Sequence, residues 1–310
     1  IKNYKSLIDV EINQPNNFTV FIGANASGKS NIFEAIDFAS SFLKFGKSAI
    51  TAFGDIEEIL NYRMKESPFE FYLDAYKNKI NLKIIRDRDN RISAIDKSGS
   101  NSHFFTNSYS RIFVRNQFTN GLPFSDENKL NLTCSNIPNV LKKLFKKEEI
   151  KEEIIDILKL VVPDFQNIEV EREELTGKLK IFIYESGNEK PFTENLISDG
   201  TINILSILTA INQTNEPQFI CIEEPENGIN PKVVKELVKL FREKCDKYSH
   251  NIWLTTHSQT LVSELKYNEI ILVDKKEGET HVKQIDESDV EGLPLDEAWL
   301  TNSLGGGLPW

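Results

Sequence analysis

Residues 18–31 read Phe-Thr-Val-Phe-Ile-Gly-Ala-Asn-Ala-Ser-Gly-Lys-Ser-Asn. An apolar, β-branched run leads into the spacing Gly-x-x-x-x-Gly-Lys-Ser, and an apolar-striped segment follows. This is the phosphate loop in the strand–loop–helix setting its mechanism requires. A loop that wraps a triphosphate must present backbone N–H groups at close range. Gly23 and Gly28 let the chain bend and approach. The positive end of the following helix then faces the phosphates. Lys29 is placed to reach the β- and γ-phosphates, and Ser30 to ligate Mg²⁺. Asn25, Ala26, Ser27, Gly28, Lys29, Ser30 and Asn31 are therefore the candidate contacts to ATP. The bland alternative, a Gly-rich turn matching by chance, does not explain why a strand precedes it and a helix follows.

Working outward, the 310-residue chain has room for one large domain or two lobes. No apolar stretch approaches the length of a membrane span, and no signal peptide is visible, so the expected partners do not include a membrane. Three widely spaced cysteines, Cys134, Cys221 and Cys245, form no Cys-x-x-Cys pair. That argues against a zinc site or disulfide framework and for a reducing cytoplasm. The net charge of −10 argues against a uniformly basic nucleic-acid surface.

The segment from Ile1 to Ile12 reads as one strand, turning at Pro15 toward Phe18–Ile22. After the loop, Ile32, Phe33, Ile36, Phe38, Ala39, Phe42 and Leu43 give a helix its apolar face. Residues 69–76 and 80–85 read as hairpin strands, with a further strand over 91–95. Residues 97–110, rich in Ser and Asn, read as a loop. From 137 to 162 the spacing predicts a helical hairpin. There Lys142, Lys143, Lys146 and Lys147 are followed at once by Glu148, Glu149, Glu152 and Glu153, which reads as a solvated face rather than a DNA contact. Strands follow at 168–172 and 179–184, a helix at 196–213, a strand at 219–222, a helix at 232–248, and buried strands at 252–255 and 270–273. No internal repeat or low-complexity tract is present.

A second constellation narrows the chemistry. Phe219-Ile-Cys-Ile-Glu-Glu-Pro-Glu226 is a hydrophobic strand ending in carboxylates. In open α/β folds that edge of the sheet is where ligands bind. Glu223 is the candidate metal group, directly or through water. Glu224 is the candidate general base that polarises an attacking water. The alternative is a polar strand end with no role.

The pairing of residues 23–31 with Ile-Glu-Glu-Pro-Glu-Asn-Gly-Ile-Asn-Pro231 resembles ABC-type ATPases, in the branch holding the RecF, SMC and OLD proteins. Leu196-Ile-Ser-Asp-Gly-Thr-Ile202 resembles the ABC signature in its OLD-like form. Leu254-Thr-Thr-His-Ser258 resembles the strand carrying the switch histidine. The resemblance covers most of the chain. It implies an α/β ABC-ATPase head with a RecA-like P-loop core, an antiparallel β-subdomain over about 66–95, and a short helical arm or lid over about 100–165, all within one bilobed head.

The resemblance also implies a composite site using ATP and Mg²⁺. One copy supplies Lys29, Ser30, Glu223, Glu224 and His257, with Glu224 and His257 catalytic. A second copy supplies Ser198 and Gly200, which cap the γ-phosphate. A homodimer or higher homo-oligomer follows. Glu223 departs from the aspartate usual at its position, and Gln117 is the one candidate for the Q-loop glutamine.

OLD nucleases carry a C-terminal Toprim domain, and the residues after 285 do not suffice for one. The expectation is therefore a head that switches a separate nuclease or Toprim-like effector in prokaryotic anti-phage defence. The alternatives are a DNA-repair or DNA-clamp ATPase, which would bind DNA, and a non-hydrolysing nucleotide sensor or scaffold. The final segment, from Ala298 to Trp310, reads as exposed tryptophans and glycines that dock on the head or a partner.

Overall fold

The computed structural model describes residues 1–64, 66–75, 78–86, 92–98, 102–113, 128–173, 177–193, 196–290, 292–301 and 303–304. Gln117 lies outside them. In chain order the elements are β1 (Lys2–Tyr4), β2 (Leu7–Asp9), β3 (Phe18–Ile22), α1 (Lys29–Phe45), α2 (Ile56–Ile59), β4 (Phe69–Ala75), β5 (Asn78–Arg86), β6 (Ile92–Ser98), α3 (Ser102–Ser108), β7 (Tyr109–Ile112), α4 (Ile137–Leu144) and α5 (Glu148–Val161). They continue with β8 (Phe165–Arg172), β9 (Leu179–Glu185), β10 (Phe192–Thr193), α6 (Asp199–Asn212), β11 (Phe219–Glu223), α7 (Pro231–Tyr248), β12 (Asn251–Thr256), α8 (Gln259–Val262), β13 (Ile270–Lys276), β14 (Glu279–Gln284) and α9 (Leu295–Leu300). Two compact units result: residues 1–109 with 255–310, and residues 110–254.

In the first unit, β13 pairs in parallel with β3 and antiparallel with β14. Every residue of β3 is buried, as expected for a strand covered on both faces. A separate antiparallel sheet runs in the order β2-β1-β4-β5-β6. Phe38 of α1 ties the unit together, with ring centroids 5.2 Å from Phe69 and 5.4 Å from Phe53. Such tilted and edge-on contacts are the favoured aromatic geometries.

Three expectations need correction in this unit. The first twelve residues are not one strand. They fold into a hairpin through Lys5 and Ser6, with Lys5 at φ +46°, the left-handed conformation tight hairpins demand. The described residues within 97–110 are not a loop. β6 runs to Ser98, and α3 then forms from helix-poor residues because Phe105 is buried, 5.9 Å from Phe71 and 5.7 Å from Tyr109. Burial of that ring outweighs weak propensity. Trp299 is not exposed: it lies on α9 at 0% exposure with Leu304 buried too, which fits the expected docking of this segment on the head.

In the second unit, β11 lies between β12 and β7. A three-stranded antiparallel sheet, β10-β9-β8, packs against α4 and α5. The helical hairpin forms where its spacing predicts, and α5 touches α6 and α7. Lys244, 2% exposed on α7, pairs with Glu153 of α5 at 2.7 Å and donates to Asn212 Oδ1 of α6 at 2.8 Å. The buried charge is thereby matched, as burial requires. The helix expected over 196–213 is shorter, Asp199–Asn212, because Ser198 caps it.

Candidate functional site

The phosphate loop belongs to the first unit. Gly28 adopts φ +105° and stands at the N-cap of α1, with no side-chain cap and no acidic residue in the first turn. The helix thus turns its N–H end, uncapped by any side chain, toward the loop. A Cβ on Gly23 would stand 2.1 Å from Val273 O, and one on Gly28 would stand 2.0 Å from Thr280 Oγ1. Both positions therefore exclude any side chain.

Lys29 is 6% exposed. Its Nζ reaches back over the loop, donating to Gly23 O at 2.8 Å and Ala24 O at 2.9 Å. Asn25, Ala26 and Ser30 are exposed, while Ser27 is buried. Ser27 Oγ has no hydrogen-bond partner among the described residues and lies 3.1 Å from where a Gly23 Cβ would be. A buried hydroxyl lining a cradle, an ammonium held on carbonyl dipoles and an uncapped helix end together fit a bound phosphate chain.

Sequence reasoning missed what fixes this loop. Thr280 of β14, 3% exposed, donates from Oγ1 to Ser27 O at 2.9 Å and shares a 2.6 Å hydrogen bond with Ser6 Oγ. Asn31 Nδ2 donates to Ser6 Oγ at 2.7 Å. Asn31, expected as a ligand contact, here begins a hydroxyl chain that runs through Ser6 to Thr280 and supports the loop. A lone Ser and a lone Thr at strand ends give no local sequence signal. His257 stands exposed just beyond β12, and Ser258 caps the short α8 by accepting from Leu261 N.

The second unit holds the carboxylates. Glu223 ends β11 with its side chain 2% exposed. Its Oε1 accepts from Arg111 Nε at 2.8 Å and Nη2 at 2.5 Å. Arg111, on β7 and 10% exposed, is the second missed residue. One arginine in a strand carries no motif, and only the β7–β11 adjacency reveals its role. The guanidinium matches the buried charge. Mg²⁺ takes oxygen ligands and needs few from the protein; the Ser30 hydroxyl in the first unit and the Glu223 carboxylate in the second are each of that chemical type.

Glu224, next along, sits at φ +47°. A non-glycine residue in that region is strained by about 1–2 kcal/mol, and such strain clusters at functional sites. Its Oε2 accepts from Asn227 Nδ2 at 2.9 Å.

Ser198, the N-cap of α6, is exposed, but its Oγ accepts from Thr201 N at 3.2 Å and pairs with Thr201 Oγ1 at 2.8 Å. The cap holds the helix end in place. Gly200 is buried, and a Cβ there would stand 2.0 Å from Gly228 O. Asn203, 5% exposed, donates from Nδ2 to Pro225 O at 3.1 Å and Asn227 O at 2.9 Å. Within this unit the signature-like helix and the turn after Glu224 are therefore in backbone contact.

The remaining reactive groups are quiet. All three cysteines are buried and in no disulfide, and burial pushes the Cys134 thiol up to about 12. Among the described residues no cluster of His, Cys, Asp or Glu is grouped as a metal site, and no helix is long and apolar enough to cross a membrane.

The family described as "AAA domain, putative AbiEii toxin, Type IV TA system" matches residues 18–263. An SMC head bound to the C-winged helix domain of ScpA superposes with a TM-score of 0.61 at 16% identity, covering 94% of this chain and 98% of that one. An Smc head with an extended coiled coil bound to the C-terminal domain of ScpA, from Pyrococcus furiosus, gives a TM-score of 0.59 at 14% identity, covering 94% and 96%. The likeness establishes the fold: a mixed α/β head of the SMC type.

Among curated sequences, the energy-coupling factor transporter ATP-binding protein EcfA2 of Lactobacillus acidophilus is 31% identical over 85 residues, 27% of each chain. EcfA1 of Methanospirillum hungatei is 34% identical over 50 residues, 16% of this chain and 18% of its own. The chain thus spans about a quarter or less of the curated relatives it matches.

Proposed function

The chain belongs to this AAA-domain family and has the fold of an SMC head; from that premise we propose that it is an ABC-like ATPase of the SMC/RecF group that binds and hydrolyses ATP to switch a separate effector. The observation that carries the reading is the loop itself: an uncapped 17-residue helix behind a cradle that only glycine fits, with Lys29 folded over its carbonyls.

On binding, Lys29 exchanges carbonyl dipoles for phosphate oxygens, and Ser27 Oγ gains a partner. Asn25, Ala26, Gly28 and Ser30 complete the cradle. Ser30 and Glu223 would hold Mg²⁺, which would supply charge neutralisation at the phosphate oxygens. Glu224 takes the proton of the attacking water. Its strained backbone and the amide of Asn227 hold the carboxylate ready. His257 hydrogen-bonds the γ-phosphate or that water.

Ser198 and Gly200 act on the nucleotide of a second copy, which makes the working form a homodimer or higher homo-oligomer. The 100–165 segment serves as the arm that recognises the effector, a nuclease or Toprim-like protein, in a cytoplasmic defence system. DNA is a lesser candidate partner, because the chain is acidic.

A second reading, a nucleotide sensor that does not turn over, is favoured by one observation: Arg111 already occupies Oε1 of Glu223. The experiment separates the two. Lys29→Ala is expected to abolish fluorescent-ATP binding. Glu224→Gln is expected to retain ATP, lose phosphate release and double in mass by light scattering with Mg-ATP. Equal, negligible phosphate release by parent and Glu224→Gln favours the sensor. Equal, measurable release removes Glu224 as the base.

A further inference from the structure

The second unit contains a buried polar link that the reading above does not use. Asn203 lies on the second turn of α6, a helix whose residues from Gly200 to Asn212 are nearly all buried and largely apolar. Asparagine is a poor residue for a helix interior, because its amide competes for backbone groups. Here the amide leaves its own helix. Nδ2 donates to Pro225 O and Asn227 O, two carbonyls of the turn immediately after Glu224. Pro225 has no N–H of its own, so the turn needs outside partners.

Asn227 in turn holds Glu224 at two points. Its N–H donates to Glu224 O at 3.1 Å, and its Nδ2 donates to Glu224 Oε2 at 2.9 Å. Three residues earlier in the helix, Gly200 meets Gly228 backbone to backbone, with Gly228 at φ +73°. Two independent contacts therefore bind the first turns of α6 to residues 225–228: a glycine-on-glycine contact that admits no side chain, and the Asn203 fork.

We propose that Asn203 is a positioning residue that couples the N-terminal end of α6 to the carboxylate of Glu224. An anion drawn to the α6 N-terminus shifts the first turns. Asn203 passes that shift through Asn227 to the Glu224 side chain. The inference rests on the reading of Glu224 as the base and of Ser198 and Gly200 as nucleotide contacts. It adds a physical connection inside one chain by which occupancy at the signature end sets readiness at the base.

The test uses the full chain, with Asn203→Ala, Asn227→Ala and the double variant. Asn227 is exposed, so its truncation probes the last link without disturbing the core. The expected result is a kcat lower by about 10- to 100-fold for each single variant, with ATP affinity unchanged, because a base misplaced by about 1 Å loses that much. The double variant is expected to be no worse than the singles, since both act through one chain of contacts. A loss of affinity instead of kcat, or additive losses, overturns the coupling.

A second readout does not depend on turnover. Hydrogen exchange in the parent is expected to slow on Mg-ATP addition in the peptides covering both 199–203 and 224–229. In Asn203→Ala the response at 224–229 is expected to be smaller than in the parent, while that at 199–203 is retained. If 224–229 responds to the parent's full extent in the variant, or if neither peptide responds in the parent, the inference falls. Failure of the Glu224 reading shows separately, as equal phosphate release by Glu224→Gln and the parent.

Discussion

Arg111→Met is the substitution whose cost the structure defines most closely. It removes the guanidinium from a carboxylate whose side chain is 2% exposed, breaking contacts of 2.8 and 2.5 Å. Removing one partner of a buried ion pair costs about 3–5 kcal/mol, because the remaining charge has left water without compensation. Arg111 is itself 10% exposed, so water partly replaces it, which sets the expectation at the low end, about 3 kcal/mol or roughly 100-fold in the local opening equilibrium. Glu223→Met is expected to cost less, since the long arginine can turn its head to solvent.

The double variant is the decisive member. With both charges gone and two apolar side chains in place, stability is expected to return to near the parent value. Native-state hydrogen exchange on peptides covering β11 reads these free energies for the strand concerned. Trp253, with its ring 4.9 Å from Phe219 on β11, gives a fluorescence signal in the same unit. Additivity of the two single losses to within about 0.5 kcal/mol refutes the pairing argument.

Two further perturbations test other parts of the molecule. Thr280→Val leaves Ser27 O and Ser6 Oγ short of a buried partner, which is expected to cost about 1–3 kcal/mol and to weaken ATP binding, with Thr280→Ser restoring both. Unchanged denaturation and affinity in the valine variant remove Thr280 from the loop's support. His250 is wholly buried, and burial pushes its imidazole down to about 4 from an ordinary value of 6.5. Between those values the unfolded chain binds a proton that the folded one refuses. Stability is therefore full above about 6.5 and falls toward pH 4, with a slope of up to about 1.4 kcal/mol per pH unit. Denaturation curves at pH 7 and 5 check this, and His250→Gln should flatten the difference. An equally steep loss in that variant assigns it to other groups.

What the sequence made legible was whatever is encoded within a few residues of itself. The phosphate loop, its flanking strand and helix, and the acidic end of β11 are local patterns of apolar runs, glycines and charge. The contacts that hold those patterns in working order are not local. Thr280 reaches Ser6 and Ser27, Arg111 reaches Glu223, and Asn203 reaches the turn at 225–227. Each is one ordinary polar residue on an otherwise unexceptional element, informative only once strand order and helix packing are known. The same reason explains the misread segments. Helix α3 exists because Phe105 finds aromatic neighbours, and Trp299 is buried because α9 lies on α8. Neither fact is written in the propensities of the residues concerned.

The Thr280 lock also has a consequence for biosynthesis. The loop residue it fixes precedes it by 253 positions, and Ser6 precedes it by 274. A ribosome adding roughly 5–20 residues per second needs about 10–50 s to travel from the loop to its lock. β3 waits over a similar interval for its parallel neighbour β13. The nascent chain therefore carries a nucleotide motif long before it carries a nucleotide site. On the proposed reading, ATP gains full purchase only on a polypeptide that has been read through β14, and translation products that stop before it lack the lock that fixes the loop.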